Sequence, residues 1–113
     1  MNLDKYSFKI NKTSTKFRFT SVGRLGKIEK VVRYEKMENE EIYNLGFGDR
    51  NPKTGEIDDT IVTNNGDIEK ILATVAATLY FFTEINPNVY IYVTGSSESG
   101  IRLYRMAINK YFQ

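Results

Sequence analysis

The sequence predicts an α+β fold in a single domain over residues 1–113, with a mainly antiparallel sheet of about five strands and two helices packed on one face. Polar and apolar residues alternate through roughly the first 49 residues, which is typical of strands. A helical period follows over residues 64–87, and a short apolar segment then precedes a second helical period. The predicted order is therefore ββββ-α-β-α, and 113 residues are enough for one domain.

Four strands are predicted in the first half of the chain, because nearly every second residue there is apolar. Turn-like residues at 11–14 separate the first two strands, which predicts a hairpin. Gly23 and Gly26 mark a turn before the third strand. In the fourth strand Asn44, Gly46 and Gly48 share one face, which indicates that another segment packs closely there. The four strands are Lys5–Ile10, Lys16–Thr20, Lys27–Lys36 and Glu41–Asp49.

The longest helix is predicted from Asn64 to Pro87, and it is the segment around which the core forms. Asn64 and Asn65 are residue types that cap helices, and Asp67 places negative charge in the first turn. Pro87 ends the helix because it disfavours helical geometry in the residue before it. One face of the helix carries its apolar residues, which are Ile68, Ile71, Leu72, Val75, Leu79 and Phe82.

The carboxy-terminal segments supply the remaining strand and helix. The stretch Val89–Val93 is apolar on both faces, which predicts a strand in the buried centre of the sheet. Thr94–Gly100 is rich in Ser and Gly and predicts a loop. A helix is predicted from Ser99 to Tyr111.

Composition limits the chemistry that the chain can perform. The sequence contains no Cys and no His, so it lacks a thiolate, the most common general base and the most common zinc ligand. No signal peptide is visible, and the uncharged run from Ile71 to Thr83 is shorter than the roughly 20 residues that cross a bilayer. We therefore expect a cytoplasmic protein that does not enter a membrane.

Charge is distributed unevenly along the chain, although the formal net charge is only +2. Residues 1–36 contain ten Lys or Arg against three Asp or Glu, whereas residues 37–69 contain two against nine. The basic segment can attract an anionic partner, or the basic and acidic segments can neutralise each other within the fold or across a homodimer. Strands one to three carry the basic residues at polar positions, namely Lys5, Lys9, Lys16, Arg18, Lys27, Lys30, Arg33 and Lys36.

A set of short segments is spread along the chain, namely Gly23–Val32, Asn44–Asp49, Thr54–Asp59, Asn64–Asp67, Leu72–Ala76, Thr94–Ser96 and Arg102–Arg105. Together these segments resemble a family of small bacterial proteins, the DUF6934 group of unknown function. The resemblance covers nearly the whole chain and implies a single-domain bacterial protein, but it implies no activity. The chain departs from the family pattern at residues 97–101, where a Thr-Pro and an extra arginine are expected, which weakens an anion site there.

A candidate anion site is predicted where the two helices begin. A helix that returns antiparallel to the strand Val89–Val93 starts at the carboxyl end of that strand, where the last helix also starts. Helix N-termini present free N–H groups and partial positive charge, and arginines clamp phosphate. Ordinary helix capping explains the same residues and is the simpler interpretation. The candidates are Asn64, Asn65, Gly95, Ser96, Ser97, Arg102 and Arg105.

A second candidate site is acidic. Asp49, Asp58 and Asp59 lie in or beside one predicted loop, and such carboxylates can hold Mg²⁺ beside a phosphate. Aspartates are also favoured turn residues, which is the simpler interpretation of the same pattern.

Three functions follow from these features. The first is a non-enzymatic binding or regulatory domain that recognises an anionic partner, either nucleic acid or a phosphate-containing ligand. The second is a Mg²⁺-dependent phosphoesterase or nuclease that uses the acidic site. The third is a protein-interaction module of a paired system, such as a toxin with its antidote. We favour the first, because nothing supplies a general base and no motif fixes a metal ion.

Overall fold

The computed structural model describes residues 4–38, 41–58 and 63–93. The α+β class and the order ββββ-α-β are confirmed over these residues. The predicted last helix, Ser99–Tyr111, lies outside them, so the described part of the chain contains one helix, not two. The elements are β1 (Lys9–Ile10), β2 (Lys16–Gly23), β3 (Gly26–Lys36), β4 (Ile42–Asp49), α1 (Ile68–Ile85) and β5 (Tyr90–Val93).

The sheet is mixed and follows the order β1-β2-β3-β4-β5. The first three pairings are antiparallel, as predicted, but β5 pairs with β4 in parallel. A parallel pair requires a crossover, which here is made by α1. The crossover brings the start of α1 to the carboxyl end of β4, where the amide of Thr63 donates to the carboxylate of Asp49.

The core lies between α1 and one face of the sheet, called here the inner face. Residues that lie opposite each other on neighbouring strands point to the same face of the sheet, and Phe17, Val32 and Phe47 form one such row on the inner face. From the helix, Phe82 stacks on Tyr34 with ring centroids 4.2 Å apart. The hydroxyl groups of Tyr34 and Thr78 are hydrogen-bonded at 2.9 Å, which satisfies both buried polar groups. The helix contributes the apolar face that the sequence predicted, with Ile71, Val75, Leu79 and Phe82 buried.

The predicted start of the helix was wrong by about one turn. The helix begins at Ile68, with Asp67 at the N-cap and no hydrogen bond from a capping side chain. Asn65 cannot begin the helix because its carbonyl accepts from the amide of Arg24, in the turn between β2 and β3, at 3.3 Å. The predicted end was close, since the helix ends at Ile85 before Pro87.

The prediction that the strand over residues 89–93 is buried in the centre of the sheet was also wrong. Among the described strands β5 is the last in the sheet and pairs with β4 only. Tyr90 and Tyr92 lie on the outer face, where 69% and 58% of their surface is exposed. Tyrosine tolerates this position because its ring is apolar and its hydroxyl is polar.

Candidate functional site

The outer face of the sheet is partly covered by the loop that follows β4, residues 50–58. Ile57 packs over Gly46, where an added Cβ would lie 3.4 Å from the Ile57 Cδ1 atom. The sequence predicted that a segment packs closely on this face, and the structure identifies that segment as the loop. Arg50 and Ile57 form an isolated antiparallel bridge, which closes the loop against the sheet.

The loop carries Glu56 onto two cations of the outer face. Lys16 of β2 and Arg33 of β3 lie directly opposite each other, and each contacts a Glu56 carboxylate oxygen at 2.9 Å. Arg33 also pairs with Glu35 at 3.1 Å. The hydrogen bond from Lys16 lowers the pKa of Glu56, and the nearby Arg33 lowers it further. Two cations and two carboxylates thus balance over this part of the sheet.

A second pair of cations on the outer face has no such balance. Lys9 of β1 and Arg18 of β2 lie directly opposite each other, and both are exposed. No carboxylate of the described residues lies within ion-pair distance of either side chain. Like charges directly opposite on neighbouring strands destabilise the pairing, so this arrangement favours an anion between them.

Two concavities meet at this unbalanced pair, and we call them together the basic groove. One has a volume of about 250 Å³ and lies between β1, β2 and the loop. The other has a volume of about 380 Å³ and extends towards Glu29 of β3. Lys9 and Arg18 line both concavities. The other lining residues are Ile10, Asn11, Lys16, Arg50, Thr54 and Gly55 in the first, and Ser7, Phe19, Thr20 and Glu29 in the second.

Arg50 forms the wall of the basic groove on the loop side. Its backbone amide donates to the carbonyl of Glu29 at 2.9 Å, which fixes the residue at the end of β4. Gly55 has a φ of +75° and packs on the guanidinium, with Arg50 Nη2 3.3 Å from where a Cβ would be. Within the part of the chain that the structure describes, the buried Arg50 Nε atom has no hydrogen-bond partner. The loop therefore holds a cation beside the groove without neutralising it.

Of the predicted anion-binding residues, the structure describes only Asn64 and Asn65. Asn65 is 1% exposed and connects α1 to the β2–β3 turn. Its side-chain oxygen accepts from the amide of Leu25 at 2.7 Å, and its amide group donates to Ser21 and to the carbonyl of Gly26. The side-chain amide of Asn65 is therefore fully hydrogen-bonded within the fold, and the exposed Asn64 accepts from the amide of Gly66 at 3.0 Å. Gly95, Ser96, Ser97, Arg102 and Arg105 lie outside the described residues.

A carboxylate already occupies the neighbourhood of the α1 N-terminus. Asp67 accepts hydrogen bonds from the hydroxyl groups of Tyr6 and Ser21, the latter at 2.6 Å. Burial, together with the hydrogen bond to Asp67, raises the pKa of Tyr6. Asp67 thus supplies negative charge where the sequence predicted an external anion.

The predicted metal site is only partly within the described residues. Asp49 is paired with the buried Lys30, and its carboxylate also accepts from the amide of Thr63 at 3.2 Å. Asp58 contacts Asp49 through the backbone, its amide donating to the Asp49 carbonyl at 2.7 Å. Asp59 is outside the described residues, and within them no group of three or more His, Cys, Asp or Glu side chains could hold a metal ion. The metal site stays a prediction without geometric support.

Lys30 was placed wrongly by the sequence interpretation, which assigned it to the basic outer face. It is 0% exposed and lies on the inner face, where its ammonium group contacts Asp49 and donates to the carbonyl of Thr63 at 2.9 Å. Its even spacing with Val32 and Tyr34 was the signal that could have shown this. Arg50, by contrast, was missed because nothing local indicates where its loop folds.

Comparisons with known proteins agree with the resemblance noted in the sequence. A family model described as a family of unknown function, DUF6934, matches residues 2–113. No curated protein and no solved structure matches the chain. Over the described residues, no helix has the length and apolar character needed to cross a membrane.

Proposed function

The chain belongs to the DUF6934 family, whose function is unknown, and we propose from the geometry of the chain itself that it is a binding domain. The domain is non-enzymatic and binds an anionic, phosphate-bearing partner. The binding surface is the basic groove. The observation that carries the proposal is the pair Lys9 and Arg18, which lie opposite each other at the junction of two concavities without a carboxylate partner among the described residues.

The fold itself contains a precedent for anion binding on this face. Lys16 and Arg33 occupy the same cross-strand arrangement as Lys9 and Arg18, and they hold the carboxylate of Glu56 between them. Hydrogen bonds between ionised groups are roughly twice as strong as neutral ones. An anion that approaches Lys9 and Arg18 would likewise meet a lysine and an arginine on facing strands, and no carboxylate of the described residues is paired with either of them.

The alternative of a Mg²⁺-dependent phosphoesterase draws less support from the structure. Its proposed ligand Asp49 is committed to Lys30 and Thr63, and a metal ion would have to displace both contacts. Removal of one partner from a buried ion pair is costly, by about 3 to 5 kcal/mol. A binding role requires no such rearrangement, because Lys9 and Arg18 are exposed.

The proposal is tested by binding of fluorescently labelled single-stranded DNA, used as a phosphate-bearing probe, over a series of salt concentrations. We expect affinity to fall as salt rises and Arg18→Gln to weaken binding about tenfold, since a hydrogen bond to a charged group contributes roughly 1.5 to 3 kcal/mol. Lys27→Gln is the matched control, because Lys27 is an exposed cation at the far end of the same face, opposite Val22. Equal loss in the two variants, or affinity that does not change with salt, would contradict the proposal.

A second variant tests the precedent set by Glu56. Glu56→Gln removes the carboxylate that neutralises Lys16 and Arg33, and it thereby adds free positive charge beside the groove. We expect this variant to bind the same probe several-fold more tightly, with a steeper dependence on salt. Weaker binding by Glu56→Gln would show that the loop must stay in place for the groove to function.

A protein partner is the second candidate function, and the exposed Tyr90 and Tyr92 favour it. Aromatic residues are enriched in the centres of protein interfaces, and these two side chains point to the same side of β5. The partner would be a second copy of this chain or the other member of a paired system. Light scattering of the purified protein, with Tyr92→Ser as the comparison variant, tests for the homodimer; no mass change on substitution and a monomeric mass in both would exclude it.

A further inference from the structure

We infer that the basic groove selects a phosphomonoester, a single doubly charged phosphate group at the end of a molecule, over the repeated phosphodiesters of a nucleic-acid backbone. The inference rests on the proposed function, since it names the chemical class that the same groove recognises. Four properties of the groove carry it: its net charge, its size, the charges around it and its hydrogen-bond donors.

The net charge of the groove matches one phosphomonoester. Its charged lining residues are Lys9, Lys16, Arg18, Arg50 and Glu29. Glu56 neutralises Lys16, and Glu29 offsets one of the remaining three cations, which leaves a charge of about +2. A phosphate on a single oxygen carries about −1.5 to −2 at neutral pH, whereas each phosphodiester of a backbone carries −1.

The size of the concavity beside Arg50 also fits a single group. The concavity beside Arg50 has a volume of about 250 Å³, which is less than the roughly 300 to 1,000 Å³ of sites for drug-sized ligands. It accommodates a phosphate and the group attached to it. The neighbouring concavity of about 380 Å³ leaves room for the rest of a small molecule or for the end of a chain.

The surroundings of the groove disfavour a long polyanion. A backbone that continued across β3 would meet Glu29, Glu35 and Glu56, which lie on the outer face of the sheet or over it. Lys16 and Arg33 would give little compensation, because they are already paired with carboxylates. Between the groove and β3, therefore, the cations are paired with carboxylates, and the positive charge of the groove does not continue across β3 as a track.

The donors around that spot suit the three terminal oxygens of a phosphomonoester. Arg18 presents a planar fork of N–H groups, which matches phosphate geometry, and Lys9 presents an ammonium group opposite it. The Arg50 Nε atom has no hydrogen-bond partner among the described residues, so a shift of the turn at Gly55 would give a bound phosphate a third cationic contact. A phosphodiester has only two such oxygens and cannot engage all three cations equally.

The test compares two single-stranded DNA probes of the same sequence, about 12 nucleotides long and labelled at the 3′ end, one with a 5′-phosphate and one with a 5′-hydroxyl. We expect the 5′-phosphate to tighten binding about tenfold or more, and Arg18→Gln but not Lys27→Gln to remove the preference. The slope of log affinity against log salt should be about −0.7 to −1.4, because about 0.7 counterions are released for each of the one or two phosphates contacted in a single strand.

Competition identifies the source of the phosphate group. Displacement of the 5′-phosphorylated probe by adenosine 5′-monophosphate, but not by adenosine, indicates that a small phosphorylated molecule is the ligand. If neither competitor displaces the probe and the preference for the 5′-phosphate is intact, the ligand is the phosphorylated end of a chain. Equal affinity of the two probes with a steep salt slope would overturn this inference while the proposed function stands. If neither DNA probe binds and inorganic phosphate does not bind either, both this inference and the proposed function are overturned.

Discussion

Replacement of Lys30 by Met tests the buried ion pair that joins the sheet to the start of α1. Lys30 is fully buried, pairs with Asp49 and donates to the carbonyl of Thr63 at 2.9 Å. Met is similar to Lys in length and volume, so the substitution removes the charge without opening a large cavity. The loss should therefore report the electrostatic role of Lys30.

The expected cost follows from what Asp49 retains after the substitution. Its carboxylate would keep only the hydrogen bond from the Thr63 amide, and the Thr63 carbonyl would lose its donor. Removal of one partner from a buried ion pair lowers the free energy of unfolding by about 3 to 5 kcal/mol. Because the Asp49 side chain is slightly exposed, we expect a loss of about 3 kcal/mol here. That is a large fraction of the roughly 5 to 15 kcal/mol that stabilises a typical domain.

Urea unfolding followed by circular dichroism measures the effect, with Lys27→Met as the control on an exposed position of the same strand. The control should change the free energy of unfolding by no more than about 0.5 kcal/mol. The double variant Lys30→Met/Asp49→Asn should be more stable than Lys30→Met alone by about 1 kcal/mol or more, because it also removes the unpaired charge. Equal effects of Lys30→Met and Lys27→Met, or strict additivity in the double variant, would refute the reasoning.

Three further substitutions test contacts elsewhere in the fold by the same unfolding measurement. Gly23→Ala should cost about 3 kcal/mol, because an added Cβ would lie 2.0 Å from the Asn65 carbonyl oxygen, whereas Gly46→Ala, with its nearest atom at 3.4 Å, should cost less than about 1 kcal/mol. Asn65→Ala should cost about 2 to 3 kcal/mol, since it leaves the Leu25 amide and the Gly26 carbonyl unpaired, and a cost similar to that of Asn64→Ala would contradict this role. Burial raises the pKa of Tyr34 above its ordinary value of 10.0. The stability that comes from its neutral form is therefore complete below pH 10.0 and is lost as the pH rises above it. In a Tyr34→Phe variant the free energy of unfolding should fall less steeply with rising alkaline pH.

The four strands of the first half were predictable because alternation is a local signal. Once one strand is placed, the side that each residue faces is fixed by counting in twos, and Phe17, Val32 and Leu45 face the core as their pattern requires. The same counting places Lys30 on the inner face, yet its charge led to the opposite assignment. A lysine on an apolar face requires a buried partner, and Asp49, nineteen residues away, is not visible as that partner from local pattern.

The start of α1 shows a different limit of local patterns. Asn64 and Asn65 carry the composition of a helix cap, but the structure uses Asn65 to hold the turn between β2 and β3. Capping preferences describe the bonds that a residue makes within its own segment, whereas these bonds cross 39 and 40 residues of sequence. Lys9 and Arg18 were correctly assigned to the basic face, but their lack of a partner depends on how far the acidic loop reaches.

The reach of that loop is what turns the uneven charge of the sequence into a localised site. The loop starts at the end of β4, and Glu56 pairs with Arg33 on β3 and with Lys16 on β2, its first and second neighbours in the sheet. The pair of Lys9 and Arg18 spans the next position outward, between β2 and β1, beyond this contact. Glu56, from the acidic middle of the chain, therefore neutralises Lys16 and Arg33 on the outer face and leaves Lys9 and Arg18, at the β1 edge, without a carboxylate partner among the described residues. The sequence presents attraction of an anionic partner and internal neutralisation as alternatives. In this fold both occur on the outer face, because Glu56 neutralises Lys16 and Arg33 whereas the cations of the groove stay available to a partner.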